Sequence, residues 1–84
     1  MPNPEQIHAQ FAEIVNDITG MPKEDVELGK QFTEDLKIDS LSMVEIIYAS
    51  EDTFGITIPD DAAKSLKTVQ EAVDMIAGLL AQDA

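Results

Sequence analysis

Five apolar side chains, Ile7, Phe11, Ile14, Val15 and Ile18, recur at helical spacing and predict one face of an amphipathic helix. The helix opens near Asn3 and Pro4, since proline suits a first turn whose N–H groups lack partners anyway. It stops at Gly20, which suits a left-handed C-cap. Residues 21–39 show neither helical nor strand periodicity. Pro22 and Gly29 punctuate them, while Val26, Leu28, Phe32 and Leu36 are spaced to pin the segment on a core. So long a loop in so short a chain is unusual, and it either hides a helical turn around residues 23–26 or is functional.

A second helix is expected over residues 40–53, capped by Asp39 or Ser40 and free of Pro and Gly until Gly55. It carries two apolar stripes. Met43, Ile46, Ile47, Ser50 and Phe54 form one; Leu41, Val44 and Tyr48 form the other, flanked by Glu45, Glu51 and Asp52. A small core accepts one stripe. The other is left as an exposed apolar strip edged with acid, the pattern of a docking surface. Ile56-Thr57-Ile58-Pro59 alternates like a strand but is too short to pair alone, so it reads as an extended connector. Pro59 at the first helical position, followed by Asp60 and Asp61, predicts a helix of one or two turns. Thr68-Val69-Gln70-Glu71 is a capping box opening a last helix, with Val69, Ala72, Val73, Ile76, Leu79 and Leu80 as its apolar face. No repeat or linker interrupts the chain. The expected fold class is all-α, with one domain over residues 1–84 forming a small four-helix bundle. Three main helices and one short helix follow from the pattern, with a long first loop and a radius of gyration of roughly 12 Å.

Charge narrows the partners. The chain holds 17 Asp and Glu against 5 Lys, a net charge of −12. Phosphate backbones and anionic membrane surfaces repel such a chain, so nucleic acid and membrane insertion are not expected. Basic proteins are, met through long-range attraction that weakens with salt. The absence of Cys excludes disulfides, thiolate metal sites and cysteine nucleophiles, and fits a cytoplasmic location. The longest apolar run, residues 75–81, falls far short of the ~20 residues that span a bilayer. With Glu5 near the start and no basic, apolar leader, no secretory signal is expected.

Catalysis by the chain itself is hard to build. His8 is the one histidine, placed on the polar side of the first helix and expected to be solvated. Glu51-Asp52 and Asp60-Asp61 are acid pairs, but no segment has the spaced oxygen ligands and central Gly of a calcium loop. No catalytic residue and no metal site are therefore expected, beyond weak, unspecific attraction of divalent ions to the acids of residues 38–63. The four glycines are scattered, so no phosphate-cradling loop is present. What remains is Asp39-Ser40-Leu41. Alone, it is a helix-capping serine; here it lies where a long loop meets a helix with an exposed, acid-edged face.

With that motif stand Phe32-Thr33-Glu34-Asp35-Leu36, Met43-Val44-Glu45, Glu51-Asp52-Thr53-Phe54-Gly55, Ile58-Pro59-Asp60-Asp61 and Thr68-Val69. In this order and spacing they resemble the acyl carrier protein family over essentially the whole chain. The resemblance implies a four-helix carrier, not an enzyme, whose Ser40 is esterified with 4′-phosphopantetheine from coenzyme A, with Asp39 beside it. The thiol of that arm would hold growing fatty acyl chains as thioesters in a dissociated fatty acid synthase. Serine has no base of its own here, so a partner synthase must activate it. The product phosphodiester would lie at a helix start, where free N–H groups and the dipole favour an anion, while Asp39 opposes it and points to a role toward the modifying enzyme.

The same resemblance assigns Leu41, Val44, Glu45, Tyr48, Glu51 and Asp52 to partner docking. The partners implied are basic surfaces of the holo-carrier synthase, malonyl transferase, ketoacyl synthases, reductases and dehydratase, met by a monomer. An acyl pocket would draw on Met43, Ile46, Ile47 and Phe54 with Ile58, Ala63, Leu66 and Val69, although a plain core stripe has the same pattern. Lys37 departs from the family, which often has Gly or an acid there. Asp39, in place of a Gly-Gly-x-Ser run, argues against a peptidyl carrier. A discrete polyketide carrier is the alternative within the family; an unmodified acidic helical adaptor is the alternative of another class. A stand-alone hydrolase would have to depend on His8.

Overall fold

A computed structural model describes residues 2–82. Helix α1 spans Pro4–Thr19, α2 Ser40–Phe54, α3 Asp60–Lys64 and α4 Val69–Gln82. The first loop does hide a helical turn, a single 3-10 turn at Lys23–Asp25. The all-α expectation of three main helices and a short one holds.

The main helices are closed by their own sequence. Asn3 Oδ1 accepts the Gln6 N–H at 2.8 Å, and Gln6 Oε1 accepts the Asn3 N–H at 3.0 Å, which satisfies two donors at the start of α1. Gly20 ends that helix at φ 78°, a left-handed conformation that costs glycine nothing, and returns its N–H to the Asn16 carbonyl. The predicted box opens α4: Thr68 Oγ1 accepts the Glu71 N–H at 3.1 Å, and Glu71 Oε1 accepts the N–H groups of Thr68 and Lys67 at 3.0 and 2.8 Å. Helix α3 starts one residue later than expected. Pro59 is its N-cap, because its ψ of 144° is still extended while its carbonyl already accepts the Ala63 N–H at 2.9 Å.

Helix α1 packs on both α2 and α4. Its Ile7, Phe11, Ile14 and Val15 are buried, against Ile46 of α2 and Val69, Val73 and Ile76 of α4. Ser50 is buried too, its hydroxyl donating to the Ile46 carbonyl at 2.8 Å. The first loop adds Val26, Phe32, Leu36 and Ile38 to the same core, while Leu28 is half-buried. Phe32 meets Phe11 edge-on, ring centroids 5.9 Å apart. Each fully buried side chain of this size contributes about 1.5–3 kcal/mol, so the loop is held by its own apolar residues.

The loop backbone is held as well, which no periodicity announced. Gln31 and Thr68 form an isolated antiparallel bridge, and the Phe32 N–H donates to the Lys67 carbonyl at 2.9 Å. The N–H groups of Val69 and Gln70, which open α4 and have no partner within it, donate to the carbonyls of Lys30 and Leu28 at 3.0 and 2.9 Å. The loop therefore caps α4. His8 is not the solvated residue expected. It is half-buried, and its Nε2 lies 2.6 Å from the Val26 carbonyl. A carbonyl only accepts, so Nε2 carries the proton and ties α1 to the loop. Lys37 turns the chain at φ 57°, a left-handed backbone on a non-glycine residue. The radius of gyration is 11.6 Å, close to the size expected.

Candidate functional site

Ser40 is the first residue of α2 and is exposed, and its hydroxyl takes part in no hydrogen bond among the described residues. Asp39 is the N-cap. Its backbone is extended at φ −80° and ψ 171°, and its Oδ1 accepts the Ser42 N–H at 2.8 Å. That bond, with a further one to the Ser42 side chain, holds the Asp39 carboxyl below its ordinary value. The acid next to Ser40 is thus ionised and turned toward the helix backbone. The Ser40 hydroxyl is left free for chemistry, with no base bonded to it.

Along the outer side of α2, Leu41, Val44 and Tyr48 are 69%, 47% and 66% exposed. These are large apolar residues, recurring on one helix face where burial would be expected of a core stripe. Glu45 and Asp52 are exposed beside them. Glu51 is placed differently: it is half-buried, and its Oε2 accepts the Ile58 N–H at 2.7 Å.

A groove of about 540 Å³ runs from Ser40 between α2 and α3. Met43 and Ile47 line it from α2, and Ala63 and Leu66 from the α3 side, four of the eight residues named above for an acyl pocket. The other four expected residues are not among its lining. Ile46, Ile58 and Val69 are sealed in the core at 5% exposure or less, and Phe54 is half-buried against that core. The structure adds Thr33, Ile38, Asp60 and Lys64, and it brings in Val44 and Tyr48, assigned above only to docking. Asp60, Ala63 and Lys64 share one face of α3 at i, i+3 and i+4, a signal present in the sequence but used only for Ala63. The groove is mainly apolar, with polar groups of Asp39, Asp60, Lys64, Thr33 and Tyr48 around it. That combination suits a flexible chain with an apolar body. No three His, Asp or Glu residues converge as a metal site among the described residues.

A family model described as "Phosphopantetheine attachment site" matches residues 9–76, a span that includes Ser40 and the groove. An acyl carrier protein of Acidothermus cellulolyticus is 55% identical over 73 residues, covering 87% of each chain. One from Myxococcus xanthus is 53% identical over 78 residues, covering 93% of this chain and 99% of that one. The crystal structure of an acyl carrier protein from Thermotoga maritima superposes with a TM-score of 0.86 at 25% identity, covering 96% of this chain and 94% of that one.

Proposed function

The chain belongs to the acyl carrier protein family, whose prosthetic group is covalently attached phosphopantetheine, and we propose that it carries this group on Ser40. The observation that carries the assignment is the position of the Ser40 hydroxyl. It is exposed, free of hydrogen bonds, set at the start of a 15-residue helix, and it lines a mainly apolar groove. The residues fit the group. The α2 dipole and the first-turn N–H groups that the Asp39 cap leaves open favour a phosphodiester, the groove can shelter an apolar tail, and the exposed strip lies beside both. The arm supplies a thiol that holds acyl groups as thioesters.

The residues of this chain do the rest. Ser40 presents the hydroxyl. With no base bonded to it, deprotonation falls to a phosphopantetheinyl transferase that takes this chain as substrate. Asp39 keeps the start of α2 in register by capping it. Leu41, Val44, Glu45, Tyr48 and Asp52 form the docking face, with Glu51 at its end, for basic surfaces of the enzymes of a dissociated fatty acid synthase. Met43, Ile47, Ala63 and Leu66 shelter the acyl chain. Relatives of about the same length, covered over 87% and 99% of their own chains, support a freestanding carrier. No helix among the described residues is long and apolar enough to cross a membrane. The reading proposed is of a monomer that meets its partners in the cytoplasm. Intact mass tests the assignment. With coenzyme A, Mg²⁺ and a holo-carrier synthase, the chain should gain one phosphopantetheine, and Ser40→Ala should gain none. An unmodified adaptor would gain nothing in either form.

A further inference from the structure

A second groove, of about 580 Å³, lies on the other side of the start of α2. The end of α1 and the opening of the first loop form one wall, with Ile18, Thr19 and Met21. The turn through Lys37 and Asp39 forms the other, joined by Ser42. Ser42 stands about 200° around the helix from Ser40, so α2 itself divides the two grooves. Ile38 and Asp39 line both, which sets Ser40 at their junction. The linings differ in kind. The first groove is mainly apolar, whereas hydroxyl, carboxylate and ammonium groups of Thr19, Ser42, Asp25, Asp39 and Lys37 border the second.

Lys37 is the unusual member of that lining. Among the described residues it alone, glycines apart, has a positive φ. Strain of this kind persists where the surrounding structure enforces it, and it clusters at ligand clamps. Glycine would make the same turn without strain, so what the strain retains is the side chain. The Lys37 side chain is exposed and joins no ion pair among the described residues. Three residues span at most about 10 Å, and lysine adds a flexible four-carbon stem, so its ammonium reaches a phosphate on Ser40. Asp39 lines both grooves and favours neither, its carboxylate being turned toward the Ser42 N–H. Lys64, the cation of the first groove, shares a face of α3 with Asp60 at i+4, and that acid opposes an anion there.

We propose that the second groove is a resting site for the bare phosphopantetheine arm, with Lys37 holding the phosphodiester at its mouth. The site rests on the carrier reading of Ser40. The arm is amphipathic: an anionic phosphodiester is followed by a geminal dimethyl group, a hydroxyl, two amides and a thiol. Lys37 meets the phosphodiester, the half-buried Ile18 and Met21 meet the methyl groups, and the Asp25 carboxylate can accept from an amide N–H. An apolar chain on the thiol favours the first groove. Without that chain the arm has more polar atoms to satisfy than apolar surface to bury, and the second groove suits it better.

Nuclear Overhauser contacts of the arm's geminal methyl groups read the site directly. The holo form is made with coenzyme A, Mg²⁺ and a holo-carrier synthase, and its thiol is left free. The methyl groups should then show contacts to the side chains of Ile18 and Met21. Contacts to Met43 and Ala63 alone, or to no residue, would overturn the resting site. Lys37→Asn suits the left-handed turn, so the loop stays intact while the charge is lost. This variant should weaken the contacts about two- to fivefold, the weight of one exposed charge pair, while Lys37→Arg keeps them. In the wild type, 1 M NaCl should weaken them to the level of Lys37→Asn. Contacts of equal strength in wild type and Lys37→Asn would overturn the role of Lys37. Intact mass keeps the two readings apart. No mass gain at Ser40 sinks the carrier assignment and the resting site with it; a normal gain with the methyl groups elsewhere sinks the resting site alone.

Discussion

At φ 57° the Cβ of Lys37 crowds its own backbone, at a cost of roughly 1–2 kcal/mol that glycine escapes and asparagine reduces. The family resemblance marks this position as a departure, with Gly or an acid common there, but spacing and composition carry no information about φ. The backbone supplies the reason: the turn into Ile38 and the Asp39 cap needs a left-handed residue. A pair of variants isolates the cost, because both remove the same charge. Lys37→Asn should be more stable to urea than Lys37→Val by about 1 kcal/mol, since β-branched side chains tolerate this conformation worst. Equal midpoints would mean that the loop relaxes around the substitution. Ser40 and Asp39 are the opposite case. Their place at a helix start is legible because a capping residue before a Pro- and Gly-free run has one structural meaning. His8 is illegible for a physical reason. Its partner, the Val26 carbonyl, is a backbone atom 18 residues away, and no side-chain pattern reports where a carbonyl points.

Among the elements, α1, α2 and α4 are legible because each states its limits redundantly, by periodicity and by caps at one or both ends. The exposed apolar strip of α2 is legible for the same reason: a helix with two apolar stripes against one small core must expose one. The groove is half legible. Neighbours such as Ile46 and Ile47 differ by about 100° around the helix, so a stripe names a side without saying which member is core and which is wall. The bridge of Gln31 to Thr68 is not legible at all, since backbone pairing between a loop and a helix start leaves no repeat. The caps make a pH prediction with a definite sign. Asp39 and Glu71 lie below their ordinary values of 3.8 and 4.5, Asp39 through the bonds from Ser42 and Glu71 through those from Lys67 and Thr68. A lowered folded pKa means that the fold favours the ionised form. That contribution is complete above the ordinary value and is lost as pH falls through the lowered one. Glu71→Ala should therefore melt below wild type at pH 7, with the gap closing as the pH is taken below 4.5. A gap independent of pH would show that Glu71 acts through packing instead of its charge.

For the whole molecule, the −12 charge works against the fold and, under the function proposed, for the encounter with basic partners. A single ion pair, Lys23 with Glu13 at 3.6 Å, is present among the described residues, and both side chains are more than half exposed, so it offsets little. The molecule measures 34 × 25 × 20 Å. At 0.01 M salt the screening length is about 30 Å, and nearly every acid feels every other; at 1 M it is about 3 Å and only neighbours interact. Salt should thus move two observables in opposite directions. From 0.01 to 1 M NaCl the melting temperature should rise by about 4 °C or more, and association with a basic holo-carrier synthase should slow by about tenfold or more. Glu45→Gln combined with Asp52→Asn separates self-repulsion from docking, and it spares Glu51, whose removal would also cut the bond to Ile58. Relative to wild type at low salt, this double variant should melt higher, associate more slowly and show a flatter dependence of rate on salt. A higher melting temperature with wild-type association would keep the self-repulsion and move the docking face off this strip. A slower association with unchanged melting would keep the docking face and place the destabilising charge elsewhere in the molecule.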